Sequence, residues 1–152
     1  MSLEMIISGG QSGADRAGLD VALTNNLPHG GWCPKGRKAE DGLIHQQYQL
    51  NETSSTGYRS RTEKNVRDSD GTLILTFAAR LTGGSLLTQN LANKHGKPCL
   101  HVSRESTKEP ASEIQQFITA HGIRRLNVAG SRESKEPGLH DWAVGILKEA
   151  LF

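Results

Sequence analysis

The chain has 152 residues, 35% of them hydrophobic, which suits one compact domain with a single buried core over residues 1–152 and leaves little for a second. Its 18 basic and 16 acidic residues give a net charge of +2, which excludes a chain-wide basic field for nucleic acid or a membrane surface, so any anion recognition has to be local. No apolar run approaches the roughly 20 residues of a spanning helix, the first residues carry no basic segment ahead of a signal core, and Cys33 and Cys99 have no CxxC or zinc-ligand spacing; the expectation is a cytoplasmic protein with two reduced thiols.

The short apolar run "MIIS" reads as a first strand. After it, Ser12 stands three residues before Asp15, the spacing of a capping box, so a helix is expected to start there. Ala14, Ala17, Gly18, Val21 and Ala22 recur at three- and four-residue steps, a small-residue face able to lie close to a sheet until "NNLP" stops it. Between Pro28 and Ser55 the pattern weakens: "HGGW" reads as a short strand, "CPKGRKAEDG" as a polar loop and "YQL" as another strand, with Tyr58, Thr62 and Val66 on a following helix. "TLILTF" is the clearest strand, and it leads through "AARLTGG" into a helix from about Ser85 to His95, stopped by Gly96 and Pro98. "PCLHV" is the next strand. Pro110 suits a first helical turn, and Ile114, Phe117, Ile118 and His121 form one face of a helix that Gly122 ends. A strand "RRLNVAG" and a helix carrying Trp142, Ile146 and Ala150 complete the chain. Alternating strand and helix predict an α/β, Rossmann-like three-layer sandwich, its sheet mostly parallel with helices on both faces.

In such a sheet the loops that leave the carboxyl ends of the strands share one edge. Three are built alike. "GGQSGAD" supplies Gly9, Gly10, Gln11, Ser12, Gly13 and Asp15, with Arg16 next; "TGGSLLT" supplies Thr82, Gly83, Gly84, Ser85 and Thr88; "AGSRES" supplies Gly130, Ser131 and Arg132. Glycine admits a ligand to the main chain, and the positive end of the following helix favours an anion, so the loops are candidate contacts for a small phosphate-bearing ligand. Glycines in strand-to-helix turns also serve tight geometry alone. Neither GxGxxG nor GxxxxGK[ST] is present, which disfavours a standard dinucleotide oxidoreductase or nucleotide triphosphatase.

The loop "GGWCPKGRKAEDG" adds Trp32, Lys35, Gly36, Arg37 and Lys38, an aromatic plate beside positive charge that suits a flat anionic ligand. Trp32 is equally suited to a core, and the charges to solvent. Arg67, Asp68 and Asp70 precede the central strand and read as turn residues, whereas Arg132 and Lys135 follow a strand and are better placed for a phosphate. For catalysis no nucleophile elbow, HExxH or paired-carboxylate motif is present, and the six histidines are scattered. Asp15 can orient a ribose hydroxyl, hold a water or cap its helix, with capping the default.

The segments "ISGGQSGADRAGLDVAL", "GGWCPKGRKAEDG", "TEKNVRDSDGTLIL", "LTGGSLLT" and "LNVAGSRESKEPG" together resemble the putative molybdenum carrier family, over nearly the whole chain. That family belongs to a Rossmann-like group that includes the Lonely guy phosphoribohydrolases. The resemblance implies a molybdenum-cofactor (molybdopterin type) or nucleotide-like ligand and a homo-oligomer. The hydrolase relatives carry a PGGxGTxxE loop, and here "TGGSLLTQN" keeps Gly83 and Gly84 but places Asn90 where the glutamate stands. Asparagine cannot exchange a proton as a carboxyl does, which argues for a carrier or sensor over a nucleotide N-glycosidic hydrolase. That alternative would have to use Asp15 or Glu133 as its acid or base.

Overall fold

The structure, a computed structural model, describes residues 2–152. Its elements in chain order are β1 (Met5–Ile7), α1 (Ala14–Thr24), β2 (His29–Gly30), β3 (Trp32–Cys33), β4 (Lys38–Ala39), β5 (Gly42–Leu43), β6 (Asn51–Glu52), α2 (Tyr58–Asp68), β7 (Gly71–Thr76), α3 (Gly83–Lys94), β8 (Cys99–Ser103), α4 (Pro110–His121), β9 (Arg125–Gly130) and α5 (Leu139–Leu151). Five strands form one parallel sheet in the order β2-β1-β9-β7-β8. α1, α5 and α4 pack together in one layer and α2 with α3 in another, which gives the α/β three-layer sandwich.

The core follows from the apolar strand runs. Every residue of β7 is buried, and Leu73 and Leu75 join Ile6, Leu126 and Val128 in the main cluster. Each such side chain stabilises the fold by about 1.5–3 kcal/mol through loss of water contact. The small-residue face of α1 lies against β9, and Gly18 is bare because a Cβ there would press on Val128. Helix α4 begins with Pro110 and ends on Gly122 in the left-handed conformation, φ 58°.

Four expectations need correction. The capping box of α1 does not form: Gly13 is the N-cap, the Ala14 N–H donates to the Ser131 carbonyl, and the side chains of Ser12 and Asp15 are engaged elsewhere. "HGGW" is two strands, because Gly31 at φ 128° turns the chain out of the main sheet after Gly30 and lets Trp32–Cys33 pair with Asn51–Glu52. "YQL" is no strand; Tyr48 is buried instead, its hydroxyl donating to Asp20 at 2.5 Å. The polar loop contains a small hairpin, β4 with β5, whose turn presents Glu40 and Asp41. Cys33 and Cys99 are both free thiols. Among the described residues no helix is long and apolar enough to cross a membrane.

Candidate functional site

The strand order runs outward from β1 to β2 on one side and from β7 to β8 on the other, with β9 between them. A sheet whose winding reverses in this way leaves a crevice beyond the carboxyl ends of its central strands. The three glycine-containing loops meet there around a cavity of about 220 Å³. Gly9, Gln11 and Asp15 line it after β1; Gly84, Ser85 and Thr88 line it at the start of α3; Gly130, Ser131, Arg132 and Lys135 line it after β9.

Positive charge dominates the lining. Arg61, Arg132 and Lys135 face one carboxylate, that of Asp15. Arg61 Nη1 donates to Asp15 Oδ2 at 2.8 Å, both side chains almost out of solvent, while Arg132 stands 3.4 Å from Glu40 and Lys135 Nζ donates to Thr82 Oγ1 at 2.8 Å. Burial pushes the Asp15 carboxyl above the usual carboxylate range against the opposing pull of Arg61. α3 adds a further source of positive potential: its first internal bond runs from Leu86 N–H to Thr82 C=O, so the amides of Gly83, Gly84 and Ser85 precede the hydrogen-bonded ladder. Thr82 makes no side-chain cap, and the space beside Gly84 is open.

Ten of the residues singled out from sequence lie off the cavity. Gly10 and Gly13 adopt φ values of 80° and 81°, and a Cβ on Gly13 would strike the main chain of Ser131 and Glu133. Ser12 donates to Glu40 and accepts from the Glu133 amide. Arg16 donates to the Gly10 carbonyl and to Asp41, binding the hairpin to α1. Trp32 is held against α2: its indole N–H donates to Asp68 at 2.9 Å, its main chain is clasped by the Asn65 amide, and Lys64 lies 4.5 Å from its ring centroid. Lys35 is exposed, and the Gly36 amide donates to Glu52. Arg37 donates to the carbonyls of Ile44, His45, Tyr48 and Leu50, a staple for its own loop. Thr82 and Gly83 stand at the rim, next to Lys135.

One wall escaped the sequence reading entirely. Tyr58, Arg61, Thr62 and Asn65 of α2 line the cavity, joined by Leu87, Asn127 and Ala129. The signal was present as a polar stripe at i, i+3, i+4 and i+7 along α2, a spacing that places all four side chains on one face. Glu133, in contrast, is committed to structure: its carboxylate accepts the amides of Gly138 and His140 at 2.7 and 2.9 Å, capping α5. Asn90 is exposed and does not line the cavity. No group of three or more His, Cys, Asp or Glu able to hold a metal ion occurs among the described residues.

The sequence model of the circularly permutated YpsA SLOG family matches residues 6–151. A solved structure titled as a putative molybdenum carrier protein from Syntrophus aciditrophicus is similar to this chain at 44% identity, covering 99% of this chain and 96% of its own, with a TM-score of 0.96. No curated protein matches.

Proposed function

The chain belongs to the circularly permutated YpsA SLOG family, and from that premise we propose that it is a carrier holding a phosphate-bearing small molecule, of molybdenum-cofactor or nucleotide type, in the cavity beyond β1, β7 and β9. The observation that carries this reading is the convergence of Arg61, Arg132, Lys135 and the open N-terminus of α3 on one hollow that holds a single carboxylate. Guanidinium, ammonium and main-chain amide groups are donors matched to phosphate oxygens. Ser85, Thr88 and Ser131 add hydroxyls to the same lining.

The molybdenum cofactor enters from the name of the Syntrophus neighbour. The donor set here suits its phosphate end. The cavity lining holds no thiolate or imidazole, so a metal would arrive with its own ligands and the protein would bind, orient and shield the organic part. Mass spectrometry of the small molecules that copurify with the native protein tests the proposal, and a phosphorylated pterin or nucleotide is the expected mass. Arg132→Ala and Lys135→Ala are each expected to weaken that ligand about tenfold, about 1.4 kcal/mol, with the melting temperature unchanged because both side chains are exposed. Full affinity in both variants would remove the site from this cavity.

A second reading, N-glycosidic hydrolysis of a nucleotide, is favoured by one observation: Asp15 is a buried carboxyl in the cavity whose proton affinity desolvation raises, the kind of perturbation found at catalytic acids and bases. Glu133 drops out of that reading because α5 holds its oxygens. Release of free base from a panel of nucleoside monophosphates, abolished by Asp15→Asn, would establish hydrolysis over carriage.

A further inference from the structure

Asp15 and Arg61 come from α1 and α2, on opposite faces of the sheet, and meet at its carboxyl edge. Gly9 is what lets them meet. A Cβ at that position would overlap the Arg61 guanidinium and touch Asp15, so the bare main chain of the first loop is a seat for an arginine of the protein itself. Arg61 is incompletely satisfied there: Nη1 reaches Asp15, but the buried Nε has no hydrogen-bond partner. Of the three cations around the cavity, Arg61 is the one held out of solvent, its side chain 12% exposed against 58% for Arg132.

We infer that the Arg61–Asp15 pair is a proton-linked gate of this site: an anion that enters the cavity competes with Asp15 for Arg61, and Asp15 takes up a proton as the anion is held. The inference rests on the cavity being the anion site. Its physical basis is that an anion and an ionised Asp15 would be two negative charges sharing one buried cation, and protonating the carboxyl removes one of them. Burial already biases Asp15 toward its neutral form.

Asp15 is the group at the cavity placed to take up such a proton from solvent. α2 presents Arg61 and Tyr58, α1 itself presents Arg16, the segment after β9 presents Arg132 and Lys135, and α3 presents only hydroxyl and amide groups. None of these side chains other than Asp15 is a carboxyl or an imidazole. Glu40, outside the lining on Arg132, is shifted the other way: desolvation raises it, but hydrogen bonds from Ser12 and Ser134 outweigh that and hold it below the usual carboxylate range. The sign follows by linkage. An anion raises the Asp15 proton affinity further, so its binding is tightest at pH values below the Asp15 value of the free protein. It weakens as pH rises toward the Asp15 value of the loaded protein, by up to about tenfold per pH unit, the limit for one proton.

Sulfate is the probe, because its own charge is constant through this range. Calorimetric titration of the full chain with sulfate in two buffers of different ionisation enthalpy is expected to report uptake of up to one proton, with affinity falling as pH rises. Asp15→Asn, an uncharged isostere, is expected to bind sulfate more tightly with no proton uptake and a flat pH profile. Gly9→Ala, which evicts Arg61 without removing a charge, is expected to weaken sulfate and abolish the linkage. Sulfate binding by the native protein with no proton uptake would overturn the gate while leaving the anion site standing, and this holds whether or not either variant folds. No sulfate binding at any pH would overturn the site and the gate together.

Discussion

The loop after β1 and the N-terminus of α3 carry the same kind of sequence, paired glycines with a hydroxyl residue ahead of a helix, yet the protein uses them in opposite ways. In the first, the amide of Gly10 is taken by Ser8 Oγ, that of Gln11 by Asp15, that of Ser12 by the Gln11 side chain and that of Ala14 by the Ser131 carbonyl. Its glycines are bare because Arg61 closes on Gly9, Leu50 and Ile44 on Gly10, and the segment after β9 on Gly13. In the second, no neighbour lies within 4 Å of where a Gly84 Cβ would stand, and the leading amides remain ahead of the helical ladder. One loop is closed by protein and the other is left open, and glycine spacing does not tell them apart.

The contrast can be broken most sharply at Gly130, which has φ 152° and where a Cβ would strike the Leu75 carbonyl and Ala14. Gly130→Ala should cost about 3–5 kcal/mol in urea unfolding, since it combines a strained backbone with an overlap. A cost under about 1 kcal/mol would mean that the loop after β9 is free to move and is not closed on the protein as the first loop is.

Removing the carboxylate that caps α5 tests a different claim of the same loop. Glu133→Ala should lower stability by about 1–2 kcal/mol through loss of two amide contacts, with no change in sulfate affinity. An effect on binding larger than on stability would return Glu133 to the site.

At Gly84 the expectation reverses. Gly84→Ala should leave stability unchanged or raise it by up to about 1 kcal/mol, as alanine does in a helix without strain, while lowering sulfate affinity by covering the amides. Lost stability with intact affinity would make the two loops alike after all.

The smallest effect lies away from the cavity, at His140, which bridges Asp20 of α1 and Asp141 of α5 at 2.7 and 3.0 Å. Burial lowers its proton affinity, but the carboxylates of Asp141 and Asp20 outweigh that and hold the imidazole above its ordinary range. A raised folded value means the stabilisation is complete below the ordinary histidine range and is lost as pH rises through the raised value. With the side chain 30% exposed, His140→Ala should remove only a few tenths of a kcal/mol of pH-dependent stability, measured by melts across that window, and should leave sulfate binding untouched.

Much of the architecture was legible because it is written locally. The buried run Thr72–Thr76, the stop at Gly96 and Pro98, and Pro110 with Gly122 at the two ends of α4 each depend on neighbours a few residues away. The segment from His29 to Glu52 was hard to read because its strands are two residues long and its order comes from single long-range staples such as Arg37. Trp32 illustrates the limit at the site: stacking plate and packed residue were both open from sequence, and contacts with Asn65, Asp68 and Lys64 place it against α2. The wall from α2 was missed because a polar helical stripe looks the same whether it faces water or a cavity.

Periodicity and glycine punctuation by themselves determined that this chain alternates strand with helix and that three loops share one edge, since both follow from backbone geometry within a dozen residues. Which glycines are filled and which are open, which helix closes the cavity and which carboxylate is left inside were decided by the tertiary structure alone. Those outcomes depend on residues such as Asp15 and Arg61, 46 positions apart, or Ser12 and Glu133, 121 apart, and no local pattern carries the free energy of burying a charge pair or a hydrogen bond across that distance.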